Sequence, residues 1–298
     1  MNRFKKGVFV FCVFAVLFAG CIPDPIDIEL PPYEPKMVVA SQIIPHRVMI
    51  VGLTKSFTIL SDATPSDTSV QPGFIDSILV KDALVTVSYL DKKDTLFMVS
   101  PGVYTSTNTL LEEYGTYTLE AKDPVTGKTI TASSTILPQV KFDTIIPVVK
   151  KDPKDTIISI NYRFTDVPGQ NNWYVINFYK KNHDSSSSHF DLNTFFNRGS
   201  NKLLTNFELI NDNDKAFENG IFSKEVFMEK VKSTDTIAVT ISNISEGYFQ
   251  FLAAYKRAGS LFNQLTGEPI TYPTNVINGL GFFNTHYPDI RFIYLKNY

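Results

Sequence analysis

The run Ala83-Leu84-Val85-Thr86-Val87-Ser88-Tyr89 has the β-branched and aromatic composition of a strand, and it recurs in kind on both sides of itself. Before it come Met37-Val38-Val39-Ala40 and residues 48–57. After it come residues 95–99, 115–121 and 129–134. Turn residues separate these runs, such as Pro101-Gly102 and Asp123-Pro124-Val125-Thr126-Gly127. Short strands at regular spacing with such punctuation predict an antiparallel, Ig-like β-sandwich over residues 36–137. Residues 62–73, rich in Ser, Thr, Asp and Pro, read as a loop inserted in it.

Residues 138–298 read as a second β-rich domain. Strands are expected over 156–164, 173–179, 224–231, 235–241 and 291–295, with a polar loop over 180–188. One region has a different period. From Ser245 to about Leu265, Tyr248, Phe251, Leu252, Tyr255 and Phe262 recur at helical spacing, with Ser245 as N-cap and Glu246 in the first turn. The spacing predicts one amphipathic helix packed on the second sheet, with Gly259 and Gly267 limiting it. The fold class is therefore mainly β, with two domains.

The other end of the chain carries an address. Arg3, Lys5 and Lys6 precede an apolar run over residues 8–18, and Ala19-Gly20 stand before Cys21. The run is too short for the ~20 residues that span a bilayer, so it reads as a processed targeting segment. It looks like a bacterial lipoprotein signal peptide (residues 1–20), with Cys21 lipidated as the first mature residue. Phe18 stands where such signals usually carry Leu. The alternative is an ordinary secretory signal in which Cys21 is incidental. Residues 21–35 hold Pro23, Pro25, Pro31, Pro32 and Pro35, a semi-rigid tether of up to ~40 Å at about 3.1 Å per residue.

Composition narrows the rest. Cys12 leaves with the signal, so the mature chain has no second cysteine for an internal disulfide or a thiolate metal site. With 28 basic against 30 acidic residues, nothing points to nucleic acid or to a polybasic membrane patch. The four histidines are His46, His183, His189 and His286, and none forms a His-Glu-x-x-His motif. His183 and His189 flank Ser185 to Ser188, where no third residue orients a base. Asn211-Asp212-Asn213-Asp214 with Glu218 and Gly220 has oxygen ligands for a hard cation, but the spacing departs from a twelve-residue calcium loop and favours a solvated turn. Asp152 and Asp155 lie beside Lys151 and Lys154, as in a charged turn. Gly279-Leu280-Gly281 lacks the third glycine of a dinucleotide loop and reads as a turn packing Phe282 and Phe283. No cofactor, metal or catalytic residue is expected. The 24 Phe and 14 Tyr, beside the single Trp173, read as core and domain interface.

Several segments occur in a familiar order. Glu34-Pro35-Lys36-Met37-Val38-Val39 follows the tether, then come Asp82-Ala83-Leu84-Val85-Thr86-Val87 and Gly102-Val103-Tyr104. The last part carries residues 244–252 and Pro273-Thr274-Asn275-Val276-Ile277-Asn278-Gly279-Leu280-Gly281-Phe282-Phe283. This resembles a Bacteroidetes lipoprotein family described as domain of unknown function forty-two forty-nine. The resemblance implies an outer-membrane lipoprotein associated with a TonB-dependent receptor, and it brings no catalytic or ligand-binding residue with it.

A small repeat has two readings. Asp-Ser/Thr before an aliphatic residue occurs at Ser77, Thr95, Thr144, Thr156 and Thr236. The plain reading is local structure, with Asp in a turn and Thr entering a strand. The sharper one is its resemblance to the O-glycosylation acceptor pattern of exported proteins in this bacterial group. For the whole chain, the leading expectation is a non-enzymatic, membrane-anchored partner of a TonB-dependent receptor. Direct glycan or peptide binding through aromatic side chains comes second, and a hydrolase with carboxylates from distant segments third.

Overall fold

A computed structural model describes residues 34–44, 48–57, 73–106, 114–151, 156–181, 207–211, 213, 217–228, 231–258 and 271–298. The first elements are β1 (Met37–Ile44), β2 (Val48–Lys55), a short helix α1 (Phe74–Ile78), β3 (Leu84–Tyr89), β4 (Lys92–Ser100), β5 (Val103–Thr105), β6 (Thr116–Lys122) and β7 (Thr129–Thr135). Then follow β8 (Phe142–Lys151), β9 (Thr156–Thr165), β10 (Trp173–Lys181), β11 (Phe207–Asn211), β12 (Phe217–Glu218) and β13 (Ile221–Met228). The chain ends with β14 (Thr236–Ile244), helix α2 (Glu246–Ala258), β15 (Val276–Ile277), β16 (Leu280–Phe282), β17 (Asp289–Tyr294) and a 3-10 turn (Leu295–Asn297). The protein is mainly β, and Pro35–Tyr298 forms one compact unit.

The first sandwich is a nine-stranded sheet in the order β15-β7-β6-β3-β4-β5-β2-β1-β16. β4 serves both halves. Its first residues pair with β3 (Val85 opposite Leu96) and its last with β5 (Phe97 opposite Thr105), so the strand carries the ladder around a bend. Val39, Val51, Leu53, Val85, Val87 and Leu119 fill the space between the halves. Alternation explains the choice: in β6, Tyr117, Leu119 and Ala121 point inward and are buried, while Thr116, Glu120 and Lys122 face out.

The second sandwich packs β11-β10-β14-β17 against β12-β13-β9-β8. Its core is largely aromatic: Tyr162, Phe164, Tyr174, Phe178 and Phe222 meet ring to ring at centroid separations of 5.0–6.3 Å. The expectation that Phe and Tyr fill the interior is met here. β14 is buried from Ile237 to Ile244 because both its faces are covered. Ile237, Val239 and Ile241 face the second sheet, and Ile244 faces α2.

The division expected at residue 137 needs a correction. Ile136 does belong to the first core and Val140 to the second. Yet β15 pairs with β7, β16 pairs in parallel with β1, and Phe283 lies in the first core. A segment assigned to the second domain thus closes the first sandwich, with Asn278-Gly279 joining strands at the two ends of the sheet order.

α2 begins as expected. The Tyr248 amide donates to the Ser245 hydroxyl at 3.3 Å, and Glu246 lies in the first turn. Lys256 and Arg257 in the last turn oppose the helix dipole. Tyr248 and Leu252 pack on Val175, Phe207 and Ile244, and Phe282 of β16 reaches the same cluster. Burying Leu252 or Phe282 stabilises this layer by roughly 2 kcal/mol each. Gly259, Phe262 and Gly267 lie outside the described residues, as do Cys21 and most of its tether. Among the described residues no helix is long and apolar enough to cross a membrane.

Candidate functional site

A concave feature lies on the outer face of β8-β9-β13. β9 alternates Ile158, Ile160, Tyr162 and Phe164 inward with Ser159, Asn161, Arg163 and Thr165 outward. The ladder sets Ile146 and Glu225 on either side of Asn161, and Thr144 and Ser223 on either side of Arg163. Together they line an open depression of about 340 Å³. The Ser159 hydroxyl donates to Glu225 at 2.6 Å, and Asp143 accepts from Thr165 at 2.8 Å with Arg163 at 3.8 Å. Around this polar centre stand exposed Ile146, Ile157 and Phe227. β8 is the edge strand, the place in a sheet where a proline such as Pro147 is tolerated. Glu225 is the one carboxylate in the lining, so the floor offers hydrogen bonding and apolar contact to a ligand and no opposed pair of acids.

A second polar cluster is buried where β1 meets β10 and β14. The Gln42 amide donates to the Tyr179 hydroxyl at 2.9 Å, and Thr240 bonds the same oxygen. Burial pushes the hydroxyls of Tyr179 and Tyr248 above the usual phenol range. Nearby, Ser41 bonds both backbone groups of Asn284, and the Asn284 amide meets His286 Nδ1 at 2.7 Å. His286 is 3% exposed. Burial lowers its pKa to about 4, against a smaller opposing effect of its hydrogen bond to the Ile43 backbone. It is a neutral, enclosed side chain, bonded to Asn284 and to the Ile43 backbone of β1. Sequence reasoning passed over this cluster, although the density of Asn, Thr and His over residues 284–286, next to the Gly-Leu-Gly turn, marked it.

The residues singled out in the sequence scatter over the surface. Ser77 is exposed in α1, Thr95 exposed in β4 and Thr144 exposed on the rim of the depression, whereas Thr236 is half-buried where β14 pairs with β17. Thr156 opens β9. Of the supposed cation loop, Glu218 and Gly220 form the β12-β13 hairpin, with Asn219 and Gly220 at φ +52° and +77°. That turn geometry, and not ligand spacing, accounts for the glycine. Among the described residues no group of three or more His, Cys, Asp or Glu is placed to hold a metal ion. His46, His183, His189, Asp152 and Asp155 lie outside the described residues. Of the tyrosines in and after α2, Tyr248 is buried, Tyr255 half-buried and Tyr272 exposed.

The glycine segment has a steric logic. Asn278 takes φ +61° and Gly281 φ +89°. At Gly279, a Cβ would stand 2.8 Å from the Met37 carbonyl oxygen. Asn275 closes the loop: its amide donates to the carbonyls of Ser133 and Phe283, and its oxygen accepts from the Phe283 amide. The expected turn packing Phe282 and Phe283 is what the structure contains. The model of the family described as "Domain of unknown function (DUF4249)" matches residues 23–287, a span that includes this segment. The chain belongs to that family.

No curated protein matches this DUF4249 member. Among solved structures it is similar to one titled "Crystal structure of chicken CNTN1 FN1-FN3 domains", at 12% identity and a TM-score of 0.24, covering 72% of this chain and 62% of that one. Another, "Cytokine receptor complex - Crystal form 1A", is 7% identical with a TM-score of 0.22, covering 86% and 94%. The β-sandwich assignment stands on strand order and register alone.

Proposed function

We propose that this DUF4249 protein is a non-enzymatic lipoprotein of the outer membrane, anchored through Cys21, that serves as an accessory of a TonB-dependent receptor in nutrient uptake. The observation that carries the reading is the outer face of β8-β9-β13. Ile146, Ile157 and Phe227 surround a hydrogen-bonding floor on an open surface, the mixture of apolar and polar groups that a protein partner covers. The amino-terminal signal and tether support the location, and the order of segments shared with the family's lipoproteins supports the receptor. Affinity capture of the tagged protein from outer membranes in gentle detergent is expected to recover a TonB-dependent receptor. The double variant Ile146→Ser/Phe227→Ser should lose it. Recovery of no receptor by the unsubstituted protein overturns the reading.

A second reading is favoured by the same depression. Asn161, Arg163, Ser223 and Glu225 present donors and acceptors around Ile146, which suits a glycan or peptide bound directly. Calorimetric titration with outer-membrane glycans and oligopeptides, compared with an Arg163→Ala variant, separates it from the first.

A further inference from the structure

Strand directions decide which loops of the first sandwich share a pole. β1, β3, β5, β7 and β16 start, and β2, β4, β6 and β15 end, at one pole. That pole carries Lys36 ahead of β1, Lys81 ahead of β3, Leu84, Lys122, the turn at residues 123–128, and Ile277. Leu90, between β3 and β4, tips the opposite pole. Residues 21–35 lead into β1, so the tether joins the folded unit at the first of these poles.

The turn between β6 and β7 is held from inside. The Asp123 carboxylate accepts from the Val125 amide and the Thr126 hydroxyl, both at 2.9 Å, and its backbone bonds Lys128 and Gly127. Asp123 is itself buried, so its charge does not face solvent. A turn this constrained still leaves Val125 81% exposed at its tip, between exposed Lys122 and Lys128. Leu84, the cross-strand neighbour of Lys122, and Ile277, paired with Thr131 of β7, are exposed beside it. Lys36 and Lys81 add positive charge. The acidic groups here among the described residues are Glu34 just ahead of Lys36, Asp82, Glu120 one row further along β6, the buried Asp123, and Asp76, which Lys81 pairs at 3.3 Å.

We propose that this pole docks on an anionic bilayer surface, with Val125 entering the interfacial layer and Lys122 and Lys128 against lipid phosphates. The inference rests on the lipid-anchor reading. An apolar tip flanked by lysines is the composition of an interfacial contact. A short tether supplies a high local concentration, so a contact too weak to hold a free protein suffices. Docking would fix the orientation of the sandwich above the membrane, which a tether alone leaves undefined.

The mature chain offers a clean test, because Cys21 is its one cysteine and lipidation blocks that sulfur. The full lipidated chain with Val125→Cys, or with Leu90→Cys (the residue there is also 81% exposed), carries an environment-sensitive fluorophore. Each is reconstituted into phosphatidylglycerol/phosphatidylcholine vesicles containing nitroxide lipid. Docking gives a blue shift and quenching at position 125 and neither at position 90. Lys122→Gln and Lys128→Gln are expected to reduce the docked-to-undocked ratio about fivefold each. Protein that floats with vesicles yet shows no difference between positions 125 and 90 overturns the docking and leaves the anchor intact. Protein that does not float overturns the anchor and the docking with it.

Discussion

Gly281 lies so close to Val39 that a Cβ built on it would stand 2.0 Å from the Val39 carbonyl oxygen. The contact occurs where β16 runs parallel to β1, with these two residues in register. Any side chain at 281 must therefore push the closing strand off the sheet, and φ +89° adds backbone strain of about 1–3 kcal/mol for an L-residue. Gly281→Ala is expected to destabilise the protein by more than about 3 kcal/mol, read from urea unfolding. Gly169 has a similar φ of +86° but nothing within 4 Å of its virtual Cβ, so Gly169→Ala should cost only about 1–2 kcal/mol. Equal losses at the two sites would show that the contact with Val39 does not matter.

Asn275 acts as a substitute strand for Phe283. Its three hydrogen bonds join the β15-β16 connection to itself and to β7. Asn275→Ala should cost about 2–3 kcal/mol, since buried backbone groups are left unmade. Asn275→Asp should cost more, because a carboxylate would then face the carbonyls of Ser133 and Phe283. Thermal unfolding of both variants checks the order, and a milder effect for Asp would contradict the assigned direction of these bonds.

His286 ties stability to pH. Its folded pKa of about 4 lies below the ordinary histidine value, so between the two the unfolded chain binds more protons than the native one. Stability from this residue is complete above about pH 6.5 and declines as pH falls toward 4, by up to about 3 kcal/mol. His286→Gln, which keeps hydrogen bonding without a titrating group, should flatten that part of the curve. Unfolding free energies across pH 4–7 measure it. A slope unchanged in the variant would move the titration elsewhere.

The legible part of this fold was where a strand carries its own signal. β3, β6, β9 and β10 have β-branched or aromatic runs bounded by turns, and they are found within a few residues of their expected limits. β8 was not among the expected strands; it carries Pro147 and ends in Lys150 and Lys151, residues that an edge strand tolerates. β5, β12, β15 and β16 are two or three residues long, too short for any period, and exist because longer partners order them. The same shortness concealed the return of the chain to the first sandwich, since nothing local in Val276-Ile277 names Ala132 and Thr131 as partners. The lining of the depression was readable in retrospect. Polar Ser159, Asn161 and Arg163 alternate with an apolar face, but which strands flank them is a matter of sheet order, which sequence spacing does not contain.

Exposure ranks the Asp-Ser/Thr sites. Ser77, Thr95 and Thr144 are open to a modifying enzyme acting on the folded chain, while Thr236 is half-buried in the β14-β17 ladder and Asp235 beside it is buried. Peptide mapping of the protein after export is expected to place sugar on the first three and none on Thr236. At Thr144 a glycan would stand on the rim of the depression, so Thr144→Ala should expose that face further. An intact mass explained by peptide and lipid alone removes the modification.

In the proposed reading, the location of the whole protein depends on Cys21. One acyl chain gives marginal membrane binding, and each further buried CH₂ adds about 0.8 kcal/mol, so the several chains of a lipoprotein terminus hold irreversibly on a cellular timescale. The pole bearing Val125 and its lysines contributes far less, because one exposed valine buries little area and surface charges are screened within about 8 Å at physiological salt. Cys21→Ser is therefore expected to abolish palmitate labelling and to move the protein from the membrane to the soluble periplasmic fraction, with only a weak, salt-sensitive residue left behind. If fractionation and labelling were the same in both proteins, the targeting segment would be an ordinary export signal, and the tether of residues 21–35 would lead nowhere.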